Sequence, residues 1–328
     1  MSKPFTAGTR KTVFVAAGAL SLLCLPAAAA YFGEAYLISL FTRVIIYALA
    51  TVSLDLLIGY GGLISLGHAA FVGIGGYVTG ILYFHGFEGE PLLGFIGGTD
   101  NALIVWPSAV LVSAAFALVI GSLSLRTSGM HFIMITLAFA QMLYYFAVGL
   151  EKYGGDDGLS LYSRNRFAGL DLSDDVQFYY VCLFLLTTFL IFTSRLVSSR
   201  FGLVLRGAAG NMRRIQTLGI PGRRYKLVCF VIGGAGAGLA GALLANQTEY
   251  VSPTLLHWTL SGELMVMVLL GGLGSLYGPV LGAAVYLLLE ETLAMYTEHW
   301  MVYLGPILIL VVIFAKRGLF GVLTGKEG

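Results

Sequence analysis

The chain has 328 residues, 58% of them hydrophobic and only 11% charged, with a mean hydropathy of +0.86 and a formal net charge of +2. A soluble domain averages about 25% charged residues, so this deficit argues against a soluble globular protein and places the chain in the membrane class. Cys24, Cys182 and Cys229 stand singly in apolar segments, a pattern of small apolar packers rather than of a metal site or redox pair.

In chain order, Lys3, Arg10 and Lys11 precede an apolar run from Val13 to Ala30. Its small-residue end, Ala27 to Ala30, is similar to that of a secretory signal peptide, but its length suits a spanning helix, and it is read as the first transmembrane segment. Further spans are predicted at about 37–59, 66–84, 103–124, 129–149 and 177–195, then at about 226–246, 259–272, 277–295 and 301–316. The expected fold is therefore all-α, a polytopic membrane bundle of about ten segments in a single domain, 1–328. The forty-four glycines suit helices that approach closely in a membrane.

Charge sets the expected orientation. With the N-terminus inside, 15 of the 19 Lys and Arg fall on the cytoplasmic side; Lys152, Arg164 and Arg166 fall outside, and Arg43 lies within a span. Glu88, Glu90, Asp100, Glu151, Asp156, Asp157, Asp171, Asp174 and Asp175 all fall outside. The positive-inside rule then predicts both termini in the cytosol. The external loop at about 150–176 is polar, with a turn at Gly154-Gly155-Asp156-Asp157-Gly158, and reads equally as a docking element or a solvated connection.

The loop at about 195–226 is the longest cationic one. Arg195, Arg200, Arg206, Arg213, Arg214, Arg223, Arg224 and Lys226 occur there with no acid. Leu205, Ala208, Ala209, Met212, Ile215 and Leu218 recur at spacings of three and four, which predicts one short amphipathic helix stopped by Gly219 and Pro221. A basic helix held out into the cytosol is a surface offered to a partner.

Two glycine-rich strings echo one another. Gly61-Gly62-Leu63-Ile64-Ser65-Leu66 is matched 210 residues later by Gly271-Gly272-Leu273-Gly274-Ser275-Leu276. Interrupted hydrophobic segments at corresponding places in two halves point to a transport site, and such backbone can line a cavity. The pathway candidates are Tyr60, Gly61, Gly62, Ser65, His68, Glu263, Gly271, Gly272 and Ser275. His68 reads either as a structural hydrogen-bonding residue or as a solute contact. Of the intramembrane charges, Arg43 and Asp55 are too far apart on one helix to pair, so each needs another partner; Glu290 and Glu291 read as interfacial. Glu263 is the best single candidate for a polar group facing a pathway. No Gly-x-Ser-x-Gly, His-Glu-x-x-His or Walker A string is present, so an enzyme and a P-loop ATPase are disfavoured. No channel-like filter stands out.

Several of these strings carry a family resemblance. Gly59 through Phe71, Leu125-Arg126-Thr127-Ser128-Gly129, Thr136 through Met142, Gly154 through Leu159 and Gly271 through Ala283 occur in an order that resembles the LivM-type permease of branched-chain amino acid ABC transporters. Gly202 through Arg206 with Leu218-Gly219-Ile220 is similar to that family's cytoplasmic coupling segment, although Gly210, Asn211 and Met212 stand where the family often carries acids. The resemblance covers about 35–320. It implies an importer subunit of a bacterial inner membrane that binds no cofactor itself. Its implied partners are a second, LivH-like permease, two cytosolic LivG/LivF-like ATPases that use ATP, and a periplasmic or lipid-anchored binding protein, with no nucleic acid. The implied coupling residues are Arg206, Met212, Arg213, Arg214, Ile215, Leu218 and Gly219. The alternatives are a permease for urea or short amides, a stand-alone proton-driven carrier working through Glu263 and His68, and a non-transporting scaffold.

Overall fold

The computed structural model describes residues 16–27, 29, 35–89, 91, 97–167, 169–297, 299–314 and 318–324. Both chain ends, 1–15 and 325–328, lie outside the described residues, as do Lys3, Arg10, Lys11, Glu90, Lys316, Arg317 and Lys326 from the charge count. Thirteen helices are present among the described residues, and seven of them are long and apolar enough to cross a membrane. The long ones are α2 (Ala35–Asp55), α3 (His68–Glu88), α4 (Ala102–Ser124), α5 (Met130–Val148), α6 (Asp175–Ser198), α9 (Gly222–Thr248) and α11 (Gly278–Tyr296). Three segments expected to span are shorter: α1 covers Ala16–Ala27, α10 Trp258–Gly271 and α12 Trp300–Phe314. α7 (Arg200–Gly210), α8 (Met212–Thr217) and α13 (Gly318–Thr324) complete the set.

Local chemistry sets several ends. Asn101, Asp174 and Ser199 each accept a backbone N–H from two residues on, capping α4, α6 and α7. The single amphipathic helix expected in the basic loop is two helices. Asn211 adopts an extended conformation (φ −151°, ψ 98°) and its Oδ1 accepts the Arg214 N–H at 3.1 Å. That bond caps α8 and breaks the helix where the apolar periodicity runs on unchanged.

α9 is the centre of the bundle. It packs on α2, α3 and α4 through glycines, with Gly234 against Phe71 and Ala117, Gly238 against Gly75 and Ser113, and Gly241 against the Val72 backbone. Without side chains at these points the backbones meet directly, which is how membrane helices gain packing energy when both solvent and core are apolar. Two-thirds or more of the hydrophobic windows of α2, α3 and α9 are buried, against a third or less in α4, α5, α6 and α11. The first three are therefore interior and the others peripheral. α1 is tied to the start of α6 by the Tyr179 hydroxyl, which donates to the Leu22 carbonyl at 2.6 Å.

The two ends of the bundle differ. One carries α7, α8 and the start of α9. The other carries the polar segment after α5, whose strand β1 (Leu159–Ser160) pairs antiparallel with β2 (Tyr250–Val251) after α9. Asn165 and Asn246 are buried and joined there by two hydrogen bonds, at 2.7 and 2.8 Å, so the loop is docked onto the bundle.

Gly238→Leu should abolish or sharply reduce the yield of folded protein, because a side chain there meets Ser113 and the Ala109 carbonyl; overpacking of this kind costs about 1–3 kcal/mol or more. Gly262→Leu, where nothing lies within 4 Å, should leave it unchanged. Fluorescence-detected size-exclusion after a temperature ramp reads the difference.

Candidate functional site

The two glycine strings meet. α2 does not stop at Asp55 but tightens into a π-helical turn, Leu56–Tyr60, closed by the Gly61 N–H on the Leu56 carbonyl at 3.2 Å. Single π turns inside helices are frequent at functional sites. Gly59 and Gly274 then touch: a Cβ on Gly59 would collide with the Gly274 backbone and with the Asp55 carboxyl. Asp55, 2% exposed, turns back from the end of α2 and its Oδ1 accepts the Gly274 N–H at 2.8 Å. Thr51, one turn earlier, donates to the Pro279 carbonyl at 3.3 Å at the start of α11. The partner that Asp55 requires is thus a backbone amide in the second string.

Positive φ makes this junction depend on glycine. Gly62 (φ 62°), Gly272 (φ 113°) and Gly274 (φ 68°) all sit in the region that other L residues enter only with strain. Gly318 (φ 71°), at the start of α13, presses its Cα side onto Gly272. Around the junction, Gly271 is buried against the Gly278 carbonyl, and the Ser275 hydroxyl donates to the Gly272 carbonyl at 2.6 Å.

The other pathway candidates from the first string are interior. Tyr60 and Ser65 are buried, and Ser65 Oγ accepts the Gly67 N–H at 3.2 Å. His68 is fully buried at the start of α3, 2.8 Å from Ser53 Oγ and edge-on to Phe71. Ser261 of α10 accepts the Ala69 N–H at 2.8 Å and so ties α10 to the same turn.

The basic segment lies against this junction. In α7, Leu205 and Ala208 are buried, and Ala209 packs on Gly62, where an added Cβ would sit 3.0 Å from the Ala209 methyl. Arg206 is exposed and leans back on the Gly202 and Val197 carbonyls. In α8, Met212 and Ile215 pack toward Gly222 at the start of α9, whereas Arg213, Arg214, Leu218 and Gly219 are exposed. The segment therefore presents cations and Leu218 outward while its apolar side rests on Gly62 and α9.

Glu263 lies elsewhere, on α10, half-buried and within electrostatic reach of Arg43 and Glu290. Arg43 finds its partner in Glu290 at 3.4 Å, across α2 and α11. Position in the chain gave no sign of that pairing, because 247 residues separate the two. A groove of about 920 Å³ between α4 and α6, lined by Leu103, Trp106, Leu111, Tyr180 and Phe184 among others, is apolar and has no residue of either string in its lining. No group of three or more potential metal ligands occurs among the described residues.

A many-helix membrane protein with interrupted helices joined at glycine turns has the build of a transport subunit. Residues 36–315 match the family model described as branched-chain amino acid transport system, permease component, and the chain belongs to that family. It is a multi-pass membrane permease and not an enzyme. It is 28% identical over 306 residues to the high-affinity branched-chain amino acid permease LivM of Salmonella typhimurium, covering 85% of this chain and 68% of that one. It is 29% identical to Escherichia coli LivM over the same shares. Against Escherichia coli LivH it is 26% identical over 84% of this chain and 91% of the relative. No solved structure matches the chain.

Asp55→Ala removes the acceptor of the Gly274 amide and should destabilise the purified protein by about 1–3 kcal/mol, the cost of a buried unsatisfied donor. Asp55→Asn keeps an acceptor oxygen and should recover most of that loss, which thermal unfolding in detergent would measure.

Proposed function

We propose that this chain is the LivM-type subunit of an ABC importer in a bacterial plasma membrane, moving branched-chain or other hydrophobic amino acids inward. In this reading it pairs with a LivH-like permease, two cytosolic ATPases consume ATP on its behalf, and a periplasmic or lipid-anchored binding protein delivers the solute. The chain binds no cofactor, and both of its termini lie in the cytosol. The single observation that carries the coupling assignment is the seat of α7 on the glycine junction, Ala209 against Gly62. A push on the exposed arginines of α7 and α8 has a short rigid route to the turn that joins α2 to α3. The junction of Asp55 with Gly274 extends that route to α10 and α11. Outward-facing cations on the segment suit an acidic or polar groove on an ATPase, and no acid of this chain is needed there.

The proton-driven alternative would join His68 to Glu263. Among the described residues no hydrogen bond or electrostatic contact links the two, and His68 is engaged by Ser53. Leucine uptake that collapses when ATP is depleted, with the proton gradient held, supports the ABC reading; uptake that survives overturns it.

Arg213→Glu combined with Arg214→Glu reverses both exposed charges of α8. The double variant should lose ATPase assembly or uncouple hydrolysis from uptake, with leucine accumulation down at least about tenfold, some 1.4 kcal/mol. Unchanged uptake would remove α8 from the coupling surface. Gly62→Val puts a β-branched residue at φ 62° against Ala209 and should depress uptake while the protein still inserts in the membrane.

A further inference from the structure

Charged side chains are rare at membrane depth, and those left open there face water or a partner rather than lipid. α2, α10 and α11 carry such a set. Arg43 lies about 12 Å along α2 from its first residue, and Glu290 about 9 Å before the end of α11, at about 1.5 Å per residue. Their side chains are 39% and 21% exposed, so the pair is not sealed inside the bundle. The Arg43 guanidinium also lies 5.6 Å from the ring centroid of Tyr47. Toward the end of the bundle that carries the β1–β2 pair, the Tyr36 hydroxyl donates to Glu291. Tyr36, Arg43 and Tyr47 are spaced by seven and four residues and form one stripe of α2. Glu263 of α10 and Tyr286 of α11 lie within electrostatic reach of this stripe.

The stoichiometry of the cluster is informative. One cation, Arg43, faces three carboxylates, and Glu290 and Glu291 already have partners. Among the described residues Glu263 has no hydrogen-bond partner, although it is half-buried in an apolar helix. Val266 and Leu293, one turn from Glu263 and Glu290, are also partly open and flank the charges with apolar surface. A guanidinium fork, a free carboxylate and adjoining aliphatic side chains match the three parts of an aliphatic α-amino acid: carboxylate, ammonium and side chain.

We infer that the face of α2, α10 and α11 lines the solute pathway, and that Glu263, Arg43 and Glu290 form a station for the head group of a zwitterionic amino acid. The ammonium is held by Glu263 with Glu290, and the carboxylate by the partly exposed Arg43 guanidinium. The pathway then runs over an outer face of this chain, against a facing subunit, and not through the core of its bundle. This inference rests on the permease reading above and adds the solute contacts to it.

The test uses the complete importer, reconstituted with its second permease, ATPases and binding protein. Glu263→Cys is placed in a Cys24→Ser background, since Cys182 and Cys229 are buried and silent. A charged, water-soluble thiol reagent should modify this cysteine, and leucine during turnover should slow the reaction severalfold. A cysteine that reacts only with a lipid-soluble maleimide overturns the pathway. Modification that leucine does not slow, in an importer that moves leucine, overturns the head-group station. Glu263→Gln, nearly isosteric, gives an independent reading: maximal uptake should fall about tenfold with assembly and yield unchanged, and Glu263→Asp should recover part of it. Unaltered uptake in Glu263→Gln counts against the station. If the unmodified importer moves no amino acid, the solute reading fails and the head-group assignment falls with it. The thiol reaction still decides, by itself, whether the face is wet.

Discussion

A hydrogen bond between a buried carboxyl and one backbone amide ties the end of α2 to the turn between α10 and α11. Asp55 ends α2, Gly274 lies between α10 and α11, and 219 residues separate them in the chain. Around that bond the backbones come too close for side chains: Gly59 touches Gly274, and Gly318 presses on Gly272. Two chain reversals, after α2 and after α10, and the start of α13 therefore converge on one small volume. Each is legal only because glycine tolerates positive φ there or has no Cβ to collide.

From this junction the organisation of the molecule follows. α7 rests on it from the side that carries the basic residues, and α2, α10 and α11 run from it toward the opposite end. The same three helices carry the open polar stripe of Arg43, Glu263 and Glu290. On the coupling proposed above, a displacement applied at α7 would reach the stripe through helices that meet at the junction, with α9 as a glycine-packed axis behind them. Rigid helices with a discrete contact at one end transmit small shifts better than a soft core would.

The membrane class, the long helices and the echo between the two glycine strings, which the structure brings into contact, were legible in the sequence. Hydropathy reports whether a segment prefers lipid, and this worked for α2 to α6, α9 and α11. It also marked α10 as short, the expected segment at about 259–272 differing by one residue at each end from the observed 14-residue helix Trp258–Gly271. Periodicity failed at Asn211 because the apolar spacing continues through the break, and a side-chain cap leaves no periodic trace. His68 and Ser65 stood out by their polarity, yet burial turns them into internal ties, which only packing reveals. The ion pair of Arg43 with Glu290 was out of reach for a different reason. Nothing local tells a residue which helix will lie beside it once the chain has folded.

The short β pairing at the far end ties two connections into one unit. Leu159 and Ser160 are stitched to Val251 and Tyr250, the Leu161 N–H adds a bond of 2.8 Å to the Glu249 carbonyl, and the Tyr250 hydroxyl donates to the Asp157 carbonyl. Glu249 itself has φ 52°, a left-handed conformation at the end of α9 that the stitching helps to fix. The acidic loop and the connection leading into α10 are consequently one mechanical piece. In the proposed orientation this loop faces outward, and a visitor gripping it would also take hold of the helix bearing Glu263, so that arrival at the surface and rearrangement within the bilayer would share a single handle.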